Sequence, residues 1–147
     1  MTSLIWGVTQ VGLKDRKLIT LREIEGVVSP HQRQVDMALK SKREALEYVV
    51  DVSELAEFIG GRVESLGLGE DWAISKAILP GVEVFFVFNR ADEEFPASLR
   101  FLFSGDRIGL MRGEDLAGFV ILHVSHMLRY VRESNPDKDL PEVCYRV

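Results

Sequence analysis

The stretch VEVFFVFNRADEEFPASLRFLF, residues 82–103, constrains the fold more than any other part of the chain, because it carries six of the eight phenylalanines. In residues 82–89 apolar side chains occupy both parities, the pattern of a central strand covered on both faces. Residues 98–103 (SLRFLF) set Leu99, Phe101 and Phe103 on one face against Ser98, Arg100 and Leu102 on the other, which suits a partner strand. Phe95-Pro96 restricts the chain where the two runs are joined, so an antiparallel pair with a concentrated aromatic core is expected here.

Helical patterns lie on either side. Ser29-Pro30-His31-Gln32 marks a helix start, with Ser29 as cap and Pro30 at the first helical position. Val35, Ala38, Leu39, Ala45, Leu46 and Val49 then recur at helical spacing, which predicts a helix from about Pro30 to about Val49. Asp51 and Glu54 are spaced as a second capping box, followed by Leu55, Phe58, Ile59, Val63 and Leu66. Gly60-Gly61 interrupts that stripe, marking either close packing or a break. The last helix starts with Glu114 and Asp115 and ends at Ser134-Asn135-Pro136. Its stripe of Leu116, Phe119, Val120, His123, Val124, Met127, Leu128 and Val131 faces a core. Near the N-terminus, residues 3–12 and 17–24 read as a hairpin joined through GLKD. The expected fold is therefore α+β: an antiparallel or mixed sheet from two hairpins, two central helices and a long C-terminal helix packed on the sheet. A single domain over residues 1–147 is expected, with the tail after Asn135 forming a surface strap or remaining partly disordered.

The net charge of −5 gives no general attraction to nucleic acid or to anionic membranes. RKLITLR and KSKRE are the densest basic patches, and Glu44 closes the second with Glu47 soon after. The acids concentrate in residues 48–120, with thirteen acidic against six basic side chains. No apolar run approaches the about 20 residues that cross a bilayer, and Cys144 is the only cysteine. A cytoplasmic protein is the expectation. Two Asn, three Gln and one Cys among 147 residues, with many Glu, Arg and Lys, match the composition of heat-adapted proteins.

The strong catalytic patterns are absent: there is no GxxxxGK(S/T), GxGxxG after a strand, HExxH, CxxC or GxSxG. Gly105, Gly109 and Gly113 precede the last helix, where backbone amides could receive a phosphate, but Glu114 and Asp115 would repel it. His123 and His126 share a helix face, the minimum for two metal ligands. Zinc needs at least three, so His31 or Cys144 would have to be brought in by folding. His123 falls in the apolar stripe and reads more simply as a core histidine donating one hydrogen bond; no metal and no cofactor are expected. A tail position also suits Cys144 poorly to nucleophilic work. What remains is an acidic cluster, Asp92, Glu93 and Glu94 in the hairpin with Glu114 and Asp115 at the helix start. Converging carboxylates could bind a hard cation or hold a proton for acid/base work, whereas divergent ones are a solvated loop.

The run Asp92-Glu93-Glu94-Phe95-Pro96-Ala97, then Leu102-Phe103, then Glu114-Asp115-Leu116-Ala117 before an apolar helix resembles an uncharacterised prokaryotic family. That family is domain of unknown function three-seven-eight-six, and the resemblance covers about residues 79 to 130. It implies a microbial source, transfers no catalytic role, and differs in Ser104, where the family pattern carries Asp. The function is therefore read as a non-catalytic interaction or accessory protein of a microbial cytoplasm, leaning away from an enzyme. Its partner would be a protein or a second copy in a homodimer, with no nucleic acid or membrane. The alternatives are a small-molecule or metal-binding enzyme using the acidic cluster, and a secretion chaperone-like module.

Overall fold

The computed structural model describes residues 17–26 and 28–147. In chain order the elements are α1 (Leu21–Glu25), α2 (Pro30–Lys40), a 3-10 segment (Arg43–Tyr48), α3 (Val52–Ile59), β1 (Arg62–Glu64), β2 (Trp72–Leu79), β3 (Val82–Asn89) and β4 (Ser98–Ser104). A 3-10 turn (Ile108–Leu110), the long α4 (Gly113–Ser134) and a last 3-10 segment (Glu142–Tyr145) follow. The strands form one antiparallel sheet in the order β1-β2-β3-β4. The fold is thus α+β, with an antiparallel sheet and a long C-terminal helix, as the patterning predicts.

β3 is one of the two inner strands and the more buried of them. Its core-side residues Val84, Phe86 and Phe88 pair across β4 with Phe103, Phe101 and Leu99. On the other flank Trp72 stands opposite Phe88, and the two rings stack 5.0 Å apart. These side chains join Leu39, Leu46, Leu55 and the α4 stripe Leu116, Val120, Val124, Met127, Leu128 and Val131 in one buried cluster. Phe85 and Val87, on the opposite parity, are buried too, which is why no alternation is visible in β3. α4 ends where Asn135, itself buried, donates its side-chain amide to the Val131 carbonyl at 2.9 Å and the Tyr48 carbonyl at 3.3 Å.

Several elements differ from expectation, each for a local reason. The first strand of the N-terminal hairpin, residues 3–12, lies outside the described residues. Residues 17–24 are not a strand: Ile19 makes one bridge to Phe103, and the chain then turns into α1. Thr20 and Glu23 form a reciprocal capping box there, which overrides the β-branched local pattern. The helix expected to reach Val49 stops at Lys40. The following 3-10 winding repeats every three residues, which brings Leu46 and Val49 to the core together. Gly60, at φ 77°, closes α3, so Val63 and Leu66 fall in and beyond β1 rather than on a helix. The next glycine is required by the sheet, since a Cβ at Gly61 would collide with the Ser75 carbonyl. The tail is not a loose strap either: Leu140 and Cys144 are buried, and Arg132 reaches the Val147 carbonyl at 3.1 Å. Cys144 is therefore withdrawn from chemistry by burial, which pushes its thiol pKa up despite the nearby Arg132, and not by mobility.

Candidate functional site

The five acids are distributed over both ends of the sheet. β4 leads from the 90–97 connection at one end to the 105–112 connection at the other, a span of roughly 20 Å for seven extended residues. α4 starts at the second end, where Glu114 and Asp115 share a groove with Leu79, and its C-cap Asn135 reaches the Tyr48 carbonyl. Asp92 organises that hairpin: its carboxylate accepts from the main-chain N–H groups of Glu94 at 2.8 Å and Phe95 at 2.7 Å. Glu93 and Glu94 are exposed. Among the described residues, no group of three or more His, Cys, Asp or Glu side chains is placed to hold a metal ion.

His123 is buried in the α4 stripe, and its Nδ1 donates to the Phe119 carbonyl at 2.6 Å. Burial depresses its pKa against the opposing hydrogen bond to Phe119, and Lys76 and His126 add smaller contributions in the same direction as burial. His126 lies beside it, with ring centroids 6.0 Å apart.

Glu114 and Asp115 line a groove of about 820 Å³ beside the start of α4. α2 contributes His31 and Gln34 to one wall; Leu79, Met111, Phe119 and Leu122 supply the apolar surface. Leu122 is 50% exposed and Leu79 48%, so much of that surface is open. Met37, one helical turn beyond Gln34, is 68% exposed and extends the apolar character along α2. Glu114 also forms a 3.6 Å ion pair with Arg112 in which both side chains are largely exposed, so the pair adds little rigidity.

His31 is held from behind by a carboxylate that local sequence patterns do not reveal. Glu25, at the end of α1, accepts from the Ser29 hydroxyl at 2.5 Å and pairs through its other oxygen with His31 Nδ1. Ser29 simultaneously caps α2 by accepting from the Gln32 N–H at 3.2 Å. Burial pushes the Glu25 pKa up, but hydrogen bonds from Ser29 and His31, with the charge of the facing imidazole, outweigh it and leave the carboxyl below its ordinary range. The pairing orients the ring, leaving Nε2 as its other nitrogen. The carboxylate also packs against Gly113, where a Cβ would have no room. Glu25, Ser29 and His31 become neighbours only because α1 ends immediately before α2 begins. The spacing alone has no recognised meaning.

The fold and site thus define a small α+β protein with an apolar groove, a tethered histidine and an acidic rim, lacking a recognisable catalytic motif. The chain belongs to the family described as domain of unknown function (DUF3786), whose model matches residues 10–125. The match includes α1 through the first half of α4, so the resemblance extends well beyond the second half of the chain. No curated protein and no solved structure matches it.

Proposed function

We propose that this protein is a non-catalytic interaction or accessory protein of one domain, which forms a homodimer through the groove between α2 and α4. The observation that carries the proposal is the open apolar surface of Leu79, Phe119 and Leu122, continued by Met37, along two packed helices. Apolar surface of this kind, rimmed by Glu114, Asp115 and Gln34, has the character of an interface core with a polar border. An isologous arrangement would cover both copies of the groove at once and leave no open end for further growth. The composition supports a cytoplasmic and heat-adapted setting for such a dimer. Asp92, Glu93 and Glu94 take no part in it.

Light scattering on the protein and on Leu122→Glu tests the reading. The expected result is a dimer for the parent chain and a folded species of 16.6 kDa for the variant. A parent chain that is strictly monomeric across concentrations removes self-association, and retention of a separate protein partner by the parent but not by Leu122→Glu would then reassign the groove to that partner.

A second reading, a small-molecule enzyme using Glu114 and Asp115, is favoured by one specific observation: His31, fixed by Glu25, lines the same groove as these two acids. A ring nitrogen held by a carboxylate, with further carboxylates lining the same groove, has the elements of acid/base work. Turnover or small-molecule binding that persists in monomeric Leu122→Glu and is lost in His31→Gln would favour it over the interface.

A further inference from the structure

At the opposite end of the sheet a second cavity, of about 680 Å³, lies between the hairpin connection and the 3-10 segment that follows α2. Arg43 forms part of its wall. Among the described residues this guanidinium makes no hydrogen bond and no ion pair, and its Nε is buried without a partner. An Arg side chain carries five donors and a permanent charge, so leaving it partly buried and unpaired is costly. Buried polar atoms without partners are rare and call for an explanation.

The Nε has essentially no surface open to the cavity, so an occupant would meet Arg43 through its terminal Nη groups, and the surroundings specify the chemistry of that occupant. Arg90 lines the same cavity, and among the described residues its guanidinium donates to the Glu47 carbonyl at 3.3 Å and the Val49 carbonyl at 3.5 Å, which leaves donors to spare. Ser98 adds a hydroxyl, while Phe95, 66% exposed, and Pro96 form an apolar wall. Two acids line the cavity as well, but each is engaged by main-chain donors. Asp71 accepts from the Arg90 N–H at 2.6 Å, and Asp92 holds the hairpin turn. Their two negative charges balance the two guanidiniums, which disfavours a dianion and leaves a singly charged group to be held by direct pairing with the guanidinium donors.

We propose that this cavity binds a small organic monocarboxylate, whose carboxylate pairs with Arg43 and Arg90 and whose apolar body packs on Phe95 and Pro96. Planar carboxylates match the guanidinium fork in geometry, and the apolar wall favours a ligand with a hydrophobic body over acetate. The site is separate from the α2–α4 groove, so it stands whether or not that groove is an interface.

The test follows the Arg43 Nε–H signal by NMR while the intact protein is titrated with phenylacetate, acetate or inorganic phosphate. The expected result is a saturable shift of the Arg43 Nε–H with phenylacetate, with acetate and phosphate binding about tenfold more weakly or worse. Arg43→Met should weaken phenylacetate binding about tenfold or more while unfolding at the same or higher denaturant concentration, because it removes a buried Nε–H that has no acceptor. Binding of phosphate in preference to phenylacetate would overturn the assignment to monocarboxylates. Absence of any shift at Arg43 would overturn the site itself, as would undiminished binding in Arg43→Met. If Arg43→Met unfolds, Phe95→Ser provides the second variant: its phenylacetate binding should fall toward that of acetate, and unchanged binding contradicts the proposal.

Discussion

The Glu25 carboxylate rests directly on Gly113, at the point where the long α4 helix begins, and leaves no space there for a side chain. One acid from α1 therefore sets the helix start, the α2 cap through Ser29 and the orientation of His31 in the groove. Gly113→Ala should displace this carboxylate. The overpacking, together with weakened hydrogen bonds, should cost roughly 1–3 kcal/mol even though Ala is the better helix former. Urea unfolding of the variant measures the loss, and unchanged stability would show that Glu25 moves aside freely.

Acid should weaken the protein in two steps. His123 has a lowered pKa in the folded protein, so the unfolded chain binds its proton more readily. Its contribution is complete above the ordinary 6.5 and is lost as pH falls through the lower folded value. Glu25 also has a lowered folded pKa; its contribution is present above the ordinary 4.5 and declines as pH falls below it. Denaturant midpoints measured between pH 8 and pH 3 should therefore fall first below pH 6.5 and again below 4.5. His123→Leu should remove the first step, and Glu25→Gln should shrink the second, to which Glu70 also contributes through its lowered folded pKa, while lowering stability at neutral pH.

The phenylalanines of residues 82–103 should divide sharply in their effect on stability. Phe86 is wholly buried opposite Phe101, and truncation to Ala should cost about 3–5 kcal/mol. Phe95 stands 66% exposed in the connection, so Phe95→Ala should change stability by about 0.5 kcal/mol or less. Comparable losses at both positions would mean that the hairpin connection packs more tightly than described.

The parts of the fold legible in the sequence are those where one signal dominates. β3 and β4 carry dense aromatic and β-branched residues, and α4 combines a long stripe with acidic and Asn-Pro ends. β2 was hidden because Ala73, Ser75, Lys76 and Ala77 dilute its β-propensity. Its strand character comes from pairing with β3, a tertiary effect. The T-x-x-E box at Thr20 and Glu23 was visible in principle but stood inside an alternating apolar run. Of the site, Glu114 and Asp115 were recognisable as a helix start. Their separation from Asp92, Glu93 and Glu94 follows from the direction of α4 across the sheet, which no local pattern encodes. The pairing of Glu25 with His31, and the burial of the Arg43 Nε without a partner, arise only in the folded chain.

The two ends of the sheet also provide the most direct test of the proposed interface. Cys144 is wholly buried, so a cysteine introduced at an exposed acid can be spin-labelled selectively. Glu114→Cys places the label at the groove rim, and Glu94→Cys places it in the far hairpin. Distances between labels on two copies, measured by double electron–electron resonance, should be shorter for the Glu114→Cys protein than for the Glu94→Cys protein. Absence of intermolecular coupling, or the shorter distance at position 94, would contradict dimerisation through the α2–α4 groove.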